Sequence, residues 1–341
     1  MGVVTDRRRV VRVREGVRAE RPDTLAVEEP LMVRLVAAVA RSRAPVVPAG
    51  AAGRPAGPVG RPAGPVGRPA GPVGRPAGPV GRPAGVVGAV RPVVPVGPRP
   101  VVPVGGMPPG SGADAETLTV TMRTPGHDFD LVAGWLVSEG AVAAREDIAA
   151  MRLCPDEDNT VEVALARGVE PPRPRAFATT SACGVCGSDT VVEVLAGLRW
   201  PVADDSVTVR PEVIADLPGL LRERQRAFDR TGGLHAAGLF TADGEPLYVR
   251  EDVGRHNAVD KVVGAALRDG ALPAAGTVLQ VSGRASFELV QKAARAGIPV
   301  LSAISAPSTL AVDLAEEAGV TLLGFVRGDS MNVYTRADRL R

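Results

Sequence analysis

The sequence predicts an α/β protein with a layered, mainly parallel or mixed sheet in its C-terminal part and a smaller α+β part before it. Three observations carry this prediction. From residue 257 onward, segments with helical spacing of apolar residues alternate with short apolar runs typical of buried strands. Glycines follow these helical segments at Gly270, Gly297 and Gly319, where helices commonly end. Alternation at this spacing is typical of β–α units that share one sheet.

The length and composition of the chain exclude several classes of protein. Its 341 residues allow one large domain or two smaller ones. A net charge of +2, from 40 basic and 38 acidic residues, does not indicate nucleic-acid binding. Three cysteines are too few for a disulfide framework and indicate a reducing compartment. The basic start lacks an apolar signal region, and the apolar run 35–40 is too short to span a bilayer, so we expect a cytoplasmic protein without a membrane segment.

The chain before residue 114 divides into three segments. Residues 1–26 are basic and aperiodic and predict a disordered tail, and residues 27–36 contain a first strand. Residues 37–113 form a low-complexity insertion rich in proline and glycine, in which the heptapeptide RPAGPVG recurs in tandem. Prolines at this density exclude a helical coiled coil and predict an extended, polyproline-like segment. Its P-x-x-P spacing fits either a ligand for a proline-binding module or, as we favour, a passive insertion.

The remaining chain is predicted to divide near residue 230. The part over 114–230 has strands at 116–123, 161–166 and 175–180, and helices at 131–139, at 189–198 and within 211–230. The part over 231–341 begins with a β-hairpin that turns at Asp243-Gly244. Its strands are predicted at 236–241, 247–249, 277–281, 298–304 and 320–326, and its helices at 257–267, 286–296 and 308–318.

Two of the three cysteines, Cys183 and Cys186, form a C-x-x-C pair between a predicted strand and a predicted helix. Gly184 and Gly187 let the backbone turn sharply beside them. A helix that starts just after the pair favours thiolate over thiol, because its N-terminus carries unpaired N–H groups and the positive end of the helix dipole. Since a thiolate is the nucleophile of sulfur chemistry, this loop is the candidate catalytic segment.

The residues alone leave the role of the C-x-x-C pair open. A structural zinc site needs two more ligands, and Cys154 and the histidines form no second pair at ligand spacing. A deaminase-type zinc site lacks its glutamate, because His235 is followed by two alanines. A thioredoxin-like dithiol lacks a thioredoxin-type arrangement around it. A persulfide carrier needs only one activated thiol on a flexible loop, and the sequence suits that requirement.

Polar turns follow three of the predicted C-terminal strands. These turns are Ser282-Gly-Arg284, Ser305–Ser308 and Arg327–Ser330. Ligands of open α/β sheets bind outside the carboxyl ends of the strands, and arginines, hydroxyls and helix N-termini there suit phosphate groups. The alternative is that they are ordinary β–α turns. The nucleotide motifs G-x-x-x-x-G-K-[ST] and G-x-G-x-x-G are absent from the sequence.

The densest polar cluster is Glu251-Asp-Val-Gly-Arg-His-Asn257, at a strand end and a helix start. It is interpreted either as part of a functional site or as a network of helix caps and ion pairs. Lys261 and Lys292 lie inside predicted helices and are interpreted as surface residues. The sequence lacks the G-x-S-x-G motif, so a serine hydrolase is not supported.

These features occur together with further short motifs in one order, and together they resemble the formate dehydrogenase accessory sulfurtransferase family (FdhD). The similarity covers Glu28–Leu35 and about 115–341, and the insertion over 37–113 is the one departure. The motifs are Met122-Arg-Thr-Pro-Gly126, Ser138-Glu-Gly140, Cys183-Gly-Val-Cys-Gly187, Thr231-Gly-Gly-Leu-His235, Glu251-Asp-Val-Gly-Arg-His-Asn257 with Asp260-Lys261, Ser282-Gly-Arg-Ala-Ser-Phe-Glu288, Ser305-Ala-Pro307 and Gly324-Phe-Val-Arg327.

The resemblance implies a cytidine-deaminase-like fold without the deaminase zinc site. It implies that sulfur from a cysteine desulfurase passes to the molybdenum (or tungsten) bis-guanine-dinucleotide cofactor of formate dehydrogenase, whose catalytic subunit is then a partner. It places the persulfide on Cys183, with Cys186 assisting. We expect a homodimer without a permanently bound metal. Cofactor contacts are predicted at Ser282, Arg284 and His256 and over Phe325, Val326, Arg327, Gly328, Asp329 and Ser330.

Two alternatives to sulfur transfer remain at this point. In one, the protein is a non-catalytic cofactor chaperone whose cysteines gate or sense delivery. In the other, it is a binding module stapled by zinc, and purified protein would then contain stoichiometric metal.

Overall fold

The computed structural model describes residues 4–14, 17–36, 115–174 and 191–341. The predicted insertion over 37–113 and the C-x-x-C loop with Cys183 and Cys186 lie outside the described residues, as does the predicted strand 175–180. The strands are β1 (Thr5–Arg14), β2 (Val17–Ala26), β3 (Glu29–Leu35), β4 (Glu116–Arg123), β5 (Ile148–Leu153), β6 (Thr160–Leu165), β7 (His235–Thr241), β8 (Pro246–Asp252), β9 (Thr277–Val281), β10 (Val300–Ala303), β11 (Thr321–Arg327) and β12 (Ser330–Val333). The helices are α1 (Asp128–Ser138), α2 (Val191–Ala196), α3 (Pro211–Arg222), α4 (Arg226–Thr231), α5 (Arg255–Arg268), α6 (Phe287–Arg295) and α7 (Thr309–Ala318).

The first two strands correct the prediction of a disordered tail over 1–26. β1 and β2 form an antiparallel ribbon in continuous register from Thr5↔Ala26 to Arg14↔Val17. The backbone ladder between the two strands forms although the sequence has no period-two pattern, and an opposite-charge pair that faces across it adds to its stability. Arg8 lies opposite Asp23 in this register.

A four-stranded sheet, in the order β4-β3-β6-β5, contains the predicted strands near residues 28–35, 116–123 and 161–166. β3 pairs antiparallel with β4 and parallel with β6, and β5 completes the sheet beside β6. Leu31 and Val33 of β3 are buried, which places this strand in the core. The sequence did not predict β5, because its two alanines and one arginine have low strand propensity.

The C-terminal sheet is mixed, which is one of the two forms that the sequence predicted, in the order β12-β11-β10-β9-β7-β8. Its centre, β9 to β11, is parallel as the β–α alternation predicted. β7 and β8 lie antiparallel on one side and β12 on the other. The antiparallel pairs β7–β8 and β11–β12 have a simple cause: the turns at Asp243-Gly244 and at Gly328 are too short for a crossover, and tight turns join antiparallel strands.

One hydrophobic core extends across the predicted boundary near residue 230. It includes Leu31 and Leu136 from one side of that boundary and Val262 and Leu279 from the other. Within it, α1 crosses α5 where Gly264 faces the backbone of Asp130 without a side chain between them. This crossing joins the helix after β4 to the helix that follows β8.

Lys261 and Lys292 are buried, which corrects their assignment to the surface. Lys261 is 1% exposed, and its Nζ lies 2.6 Å from Asp252 Oδ2. Lys292 is 9% exposed, and its Nζ lies 2.7 Å from Asp260 Oδ1, which also accepts a hydrogen bond from Ser138 Oγ. A buried ammonium group is tolerated when a carboxylate and further hydrogen bonds compensate its desolvation.

Across the described ranges, no helix combines the length and apolar character that crossing a membrane requires.

Candidate functional site

The polar turns of the C-terminal part meet at one edge of the six-stranded sheet. β9, β10 and β11 end there, and β7 begins there because it runs antiparallel to β9. β8 ends at the same edge, opposite the start of β7. We call this edge the rim and define it as His235, 252–256, 282–286, 304–308 and 325–330.

Two hydrogen bonds between Ser282 and the backbone of Ala236 fix the turn that follows β9. Ser282 donates its N–H to the Ala236 carbonyl at 3.0 Å, and its Oγ accepts from the Ala236 N–H at 2.9 Å. A Cβ at Gly283 would lie 3.4 Å from Nδ1 of His235 and 3.9 Å from Cδ of Arg255, so both side chains pack beside this glycine. Arg284 is exposed. The turn therefore places the Arg284 guanidinium at the rim. The Ser282 hydroxyl already accepts a hydrogen bond from the backbone of Ala236.

The turn that follows β8 is held in place by Asp252, the buried last residue of that strand. This carboxylate is fully buried, pairs with Lys261, and accepts hydrogen bonds from the backbone N–H of Thr124 at 3.1 Å and of Gly254 at 2.8 Å. Asn257 Nδ2 donates to the same carboxylate at 3.1 Å. These residues form the ion pair and hydrogen bonds expected under the structural interpretation of the cluster, although Gly254, the N-cap of α5, has no side-chain cap hydrogen bond. They also hold the first turn of α5, which carries Arg255 and His256.

His256 is paired with a carboxylate of the next helix. Its Nε2 lies 2.7 Å from Oε2 of Glu288 and 3.3 Å from Oγ of Ser286. Burial opposes ionisation of Glu288, but the hydrogen bond and charge of His256, with Lys292 and Arg255, outweigh it and lower the pKa of Glu288. Glu288 is therefore an anion engaged by His256.

The rim beside these residues is cationic. Burial, followed by the charge of Arg284, lowers the pKa of the Arg255 guanidinium, which still remains charged. Burial, followed by the charges of Arg255 and His256, lowers the pKa of His235 below 6.5, and Asp252 only partly opposes this. Two guanidinium groups thus meet an imidazole whose charged form is disfavoured around Gly283.

The end of β11 is irregular at the predicted last motif. Phe325 has a positive φ of 53°, which is rare for an aromatic residue, and its side chain is 41% exposed. The register between β11 and β12 shifts between Gly324 and Arg327, and Arg327 Nε donates to the Ile304 carbonyl at 3.4 Å. Backbone strain of this kind is found at binding sites, where surrounding structure maintains it.

Most of the residues predicted as cofactor contacts over 325–330 have exposed side chains at the rim, but not all of them do. Arg327, Asp329 and Ser330 are exposed, and Gly328 has a positive φ of 54° that suits a tight turn. Val326 is fully buried in a second apolar cluster. Any contact of Val326 with a ligand would therefore use its backbone, and its role in cofactor binding stays a prediction.

Three residues of the rim region were missing from the predicted contacts. His235 and Arg255 pack against Gly283, and the exposed ring of Tyr334 lies beside Gly324, where a Cβ would meet Cε2 at 3.1 Å. The motifs at 231–235 and 251–257 were the available signal for the first two. Their proximity depends on the register that sets His235 opposite Asp252, which the sequence does not reveal.

In the ranges that the structure covers, His, Cys, Asp and Glu side chains form no group of three or more that could hold a metal ion. Cys183 and Cys186 belong to the loop outside those ranges. The zinc interpretation of the C-x-x-C pair therefore stays an alternative, which the metal content of purified protein would decide.

The fold and the rim define a class: a mixed α/β protein with a cationic site at the carboxyl edge of its larger sheet. Residues 112–341 match the model of the FdhD/NarQ family. The chain belongs to the FdhD/NarQ family, as its motifs predicted.

Relatives agree with this assignment, and one solved structure has a similar fold. "Sulfur carrier protein FdhD" of Nocardia farcinica is 59% identical over 233 residues, which cover 66% of this chain and 83% of the relative. The protein of the same name from Streptomyces coelicolor is 46% identical over 351 residues, which cover 100% of this chain and 97% of the relative. A crystal structure from Desulfotalea psychrophila, described as a putative formate dehydrogenase accessory protein, aligns with a TM-score of 0.62 at 20% identity, over 99% of this chain and 100% of that one, and supports the fold.

Proposed function

We propose that this protein is a sulfur carrier that passes a sulfane sulfur from a cysteine desulfurase to the molybdenum bis-guanine-dinucleotide cofactor of formate dehydrogenase. The observation that carries the proposal is the similarity to relatives named sulfur carrier protein FdhD, one of them along the whole chain. The C-x-x-C pair lies within the residues that match the family model, 112–341. In this proposal Cys183 is the carrier.

Loading of the carrier is a thiol exchange. The Cys183 thiolate attacks the terminal sulfur of the desulfurase persulfide, the S–S bond of that persulfide breaks, and the desulfurase thiolate leaves. Release uses the second cysteine and follows binding of the cofactor, so the persulfide persists on Cys183 until the cofactor is present. The Cys186 thiolate attacks the inner sulfur of the Cys183 persulfide, a Cys183–Cys186 disulfide forms, and the terminal sulfur leaves as sulfide with the two electrons that disulfide formation supplies. A cellular dithiol reduces the disulfide before the next cycle.

The rim is the proposed seat of the cofactor, which is the substrate of the transfer. Arg284, Arg327 and the hydroxyl of Ser282 would contact its phosphates, and His256 lies at the same edge. α5, α6 and α7 begin at the rim, so their N-terminal dipoles also favour an anion. The exposed ring of Phe325 offers a face on which guanine can stack. Because the cofactor has two nucleotide arms, a homodimer with two rims is the expected assembly.

The proposal separates sulfur transfer from cofactor binding, and two variants test that separation. Cys183→Ala is expected to abolish activation of formate dehydrogenase in a reconstituted assay and to bind GDP as the wild type does. Arg284→Gln is expected to accept sulfur but to bind GDP about tenfold more weakly or worse, because a hydrogen bond to a charged group is lost. Arg145→Gln, at an exposed arginine near the start of β5, is the matched control.

Two outcomes would contradict the proposal. If a Cys183→Ala/Cys186→Ala protein still activates formate dehydrogenase, the protein acts as a non-catalytic chaperone. If Arg284→Gln and Arg327→Gln bind GDP as tightly as Arg145→Gln does, the rim does not hold the nucleotide.

A further inference from the structure

We propose that His235 is a phosphate ligand of the rim that binds as an imidazolium, so that anion binding takes up one proton from solvent. The inference rests on the proposed function, because it concerns the same rim and the same nucleotide phosphates. It adds a binding residue and a proton that the proposed function does not require.

The position of His235 supports this role. It is the first residue of β7, and its ring packs against Gly283 in the turn after β9. In the antiparallel register of β7 and β8, His235 lies opposite Asp252, the last residue of β8. The ring is half-buried. His235 therefore stands between the two polar turns of the rim, where a phosphate held by Arg284 would be a close neighbour.

The charged groups around His235 are predominantly cationic. α5 contributes Arg255 and His256, and the turn after β9 contributes Arg284. The neighbouring carboxylates are already engaged. Asp252 of β8 pairs with Lys261, and Glu288 of α6 pairs with His256.

These surroundings explain why the proton arrives with the anion. Burial and the nearby cations lower the pKa of His235, which favours the neutral imidazole in the free protein. A phosphate at the rim brings negative charge beside the ring and reverses the electrostatic balance, which favours the protonated form. Neutral His235 then takes a proton from the buffer, and its new N–H donates to a phosphate oxygen.

The nucleotide used to measure proton uptake must have no phosphate group that gains or loses a proton near pH 7. A phosphate monoester has a pKa near 6 and can lose its own proton when it binds a cationic site. GDP-glucose avoids this problem, because its pyrophosphate is a diester with fixed charge. Isothermal titration calorimetry of GDP-glucose at pH 7.5, in buffers with different ionisation enthalpies, measures the number of protons taken up.

The wild type is expected to take up close to one proton at pH 7.5, and its affinity to fall by up to tenfold per pH unit on the alkaline side. His235→Gln keeps a hydrogen-bonding side chain of similar reach without a titrating group, and is expected to bind with no uptake and a flat pH profile. His127→Gln is the matched control, because His127 is 59% exposed and lies beside Asp130, outside the rim. The wild type also permits a direct measurement by NMR, because the chain has 3 histidines. One imidazole should become protonated when GDP-glucose is added.

Each other result overturns the inference. Equal proton uptake by wild type and His235→Gln would place the proton elsewhere. Binding without uptake, or an NMR spectrum in which all three imidazoles keep their titration, would remove the imidazolium from the site and leave the proposed function intact. If the wild type does not bind GDP-glucose at all, the proposed nucleotide site fails together with this inference.

Discussion

Gly134 in α1 and Asp260 in α5 approach so closely that no side chain fits between their backbones. A Cβ built on Gly134 would lie 1.8 Å from the carbonyl oxygen of Asp260. The reciprocal contact, between Gly264 and the Asp130 carbonyl, is equally tight at 1.8 Å. The two glycines set the distance between α1 and α5, and α5 carries Arg255 and His256 to the rim.

Gly134→Ala is expected to lower the free energy of unfolding by about 3 kcal/mol or more, because overpacking here meets backbone that cannot move aside. Gly219→Ala is the matched control. Gly219 also lies in a helix, but a Cβ there has no atom within 4 Å. That variant is expected to gain about 0.5–1 kcal/mol from helix propensity. Urea denaturation measures both values, and similar values for the two variants would contradict the close approach.

The buried pair of Lys261 and Asp252 yields a second prediction. Lys261→Met leaves the Asp252 carboxylate buried without its counter-charge, which costs about 3–5 kcal/mol of the free energy of unfolding. Arg8→Met removes one side of an exposed pair with Asp6 and is expected to cost at most about 1 kcal/mol. Denaturant unfolding compares the two variants. If Lys261→Met is no less stable than Arg8→Met, the lysine does not neutralise a buried carboxylate.

A third prediction concerns acid stability. Burial opposes ionisation of Asp130, but the hydrogen bond of His127 and the guanidinium groups of Arg250 and Arg268 outweigh it and lower the pKa of Asp130 from 3.8 to about 2. Because the folded-state pKa is the lower one, this carboxylate stabilises the fold above about pH 4 and loses its contribution as the pH falls through 2.

The expected loss is about 1 kcal/mol of unfolding free energy by pH 3 and about 2 kcal/mol by pH 2. Asp130→Asn is less stable than the wild type at pH 6, and the difference should shrink by these amounts at low pH. Asp156→Asn, at an exposed position, is the control and should follow the wild type. A constant difference between wild type and Asp130→Asn at every pH would contradict the lowered pKa.

Local patterns predicted much of the fold. Helical spacing and closing glycines located α5, α6 and α7, and apolar runs located β9, β10 and β11, because these signals depend on near neighbours in the sequence. The ribbon of β1 and β2 was missed because its sequence has no period-two pattern, so the two strands are defined only by their pairing with each other. The cytidine-deaminase-like assignment and the homodimer stay predictions.

The part of the candidate site that follows from local sequence was predicted, and the part that depends on distant contacts was not. Ser282, Arg284 and Arg327 were identified from their positions after strands, which parallel strands bring to one edge. The burial of Lys292 depends on Asp260, which is distant in sequence and reaches it only through packing of α5 on α6. His235 joins the rim through the antiparallel register of β7, and periodicity does not determine register.

The central claim is that Cys183 carries sulfur, and intact-protein mass spectrometry after incubation with a cysteine desulfurase and cysteine tests it most directly. Wild type, Cys183→Ala, Cys186→Ala and Cys154→Ala are compared, since Cys154 is a free, half-buried cysteine outside the C-x-x-C pair. We predict that the wild type, Cys154→Ala and Cys186→Ala gain one sulfur atom that dithiothreitol removes, because Cys186 acts only in release, and that Cys183→Ala gains none. A wild type that gains no sulfur from an active desulfurase, or a Cys183→Ala protein that still gains it, would contradict the claim.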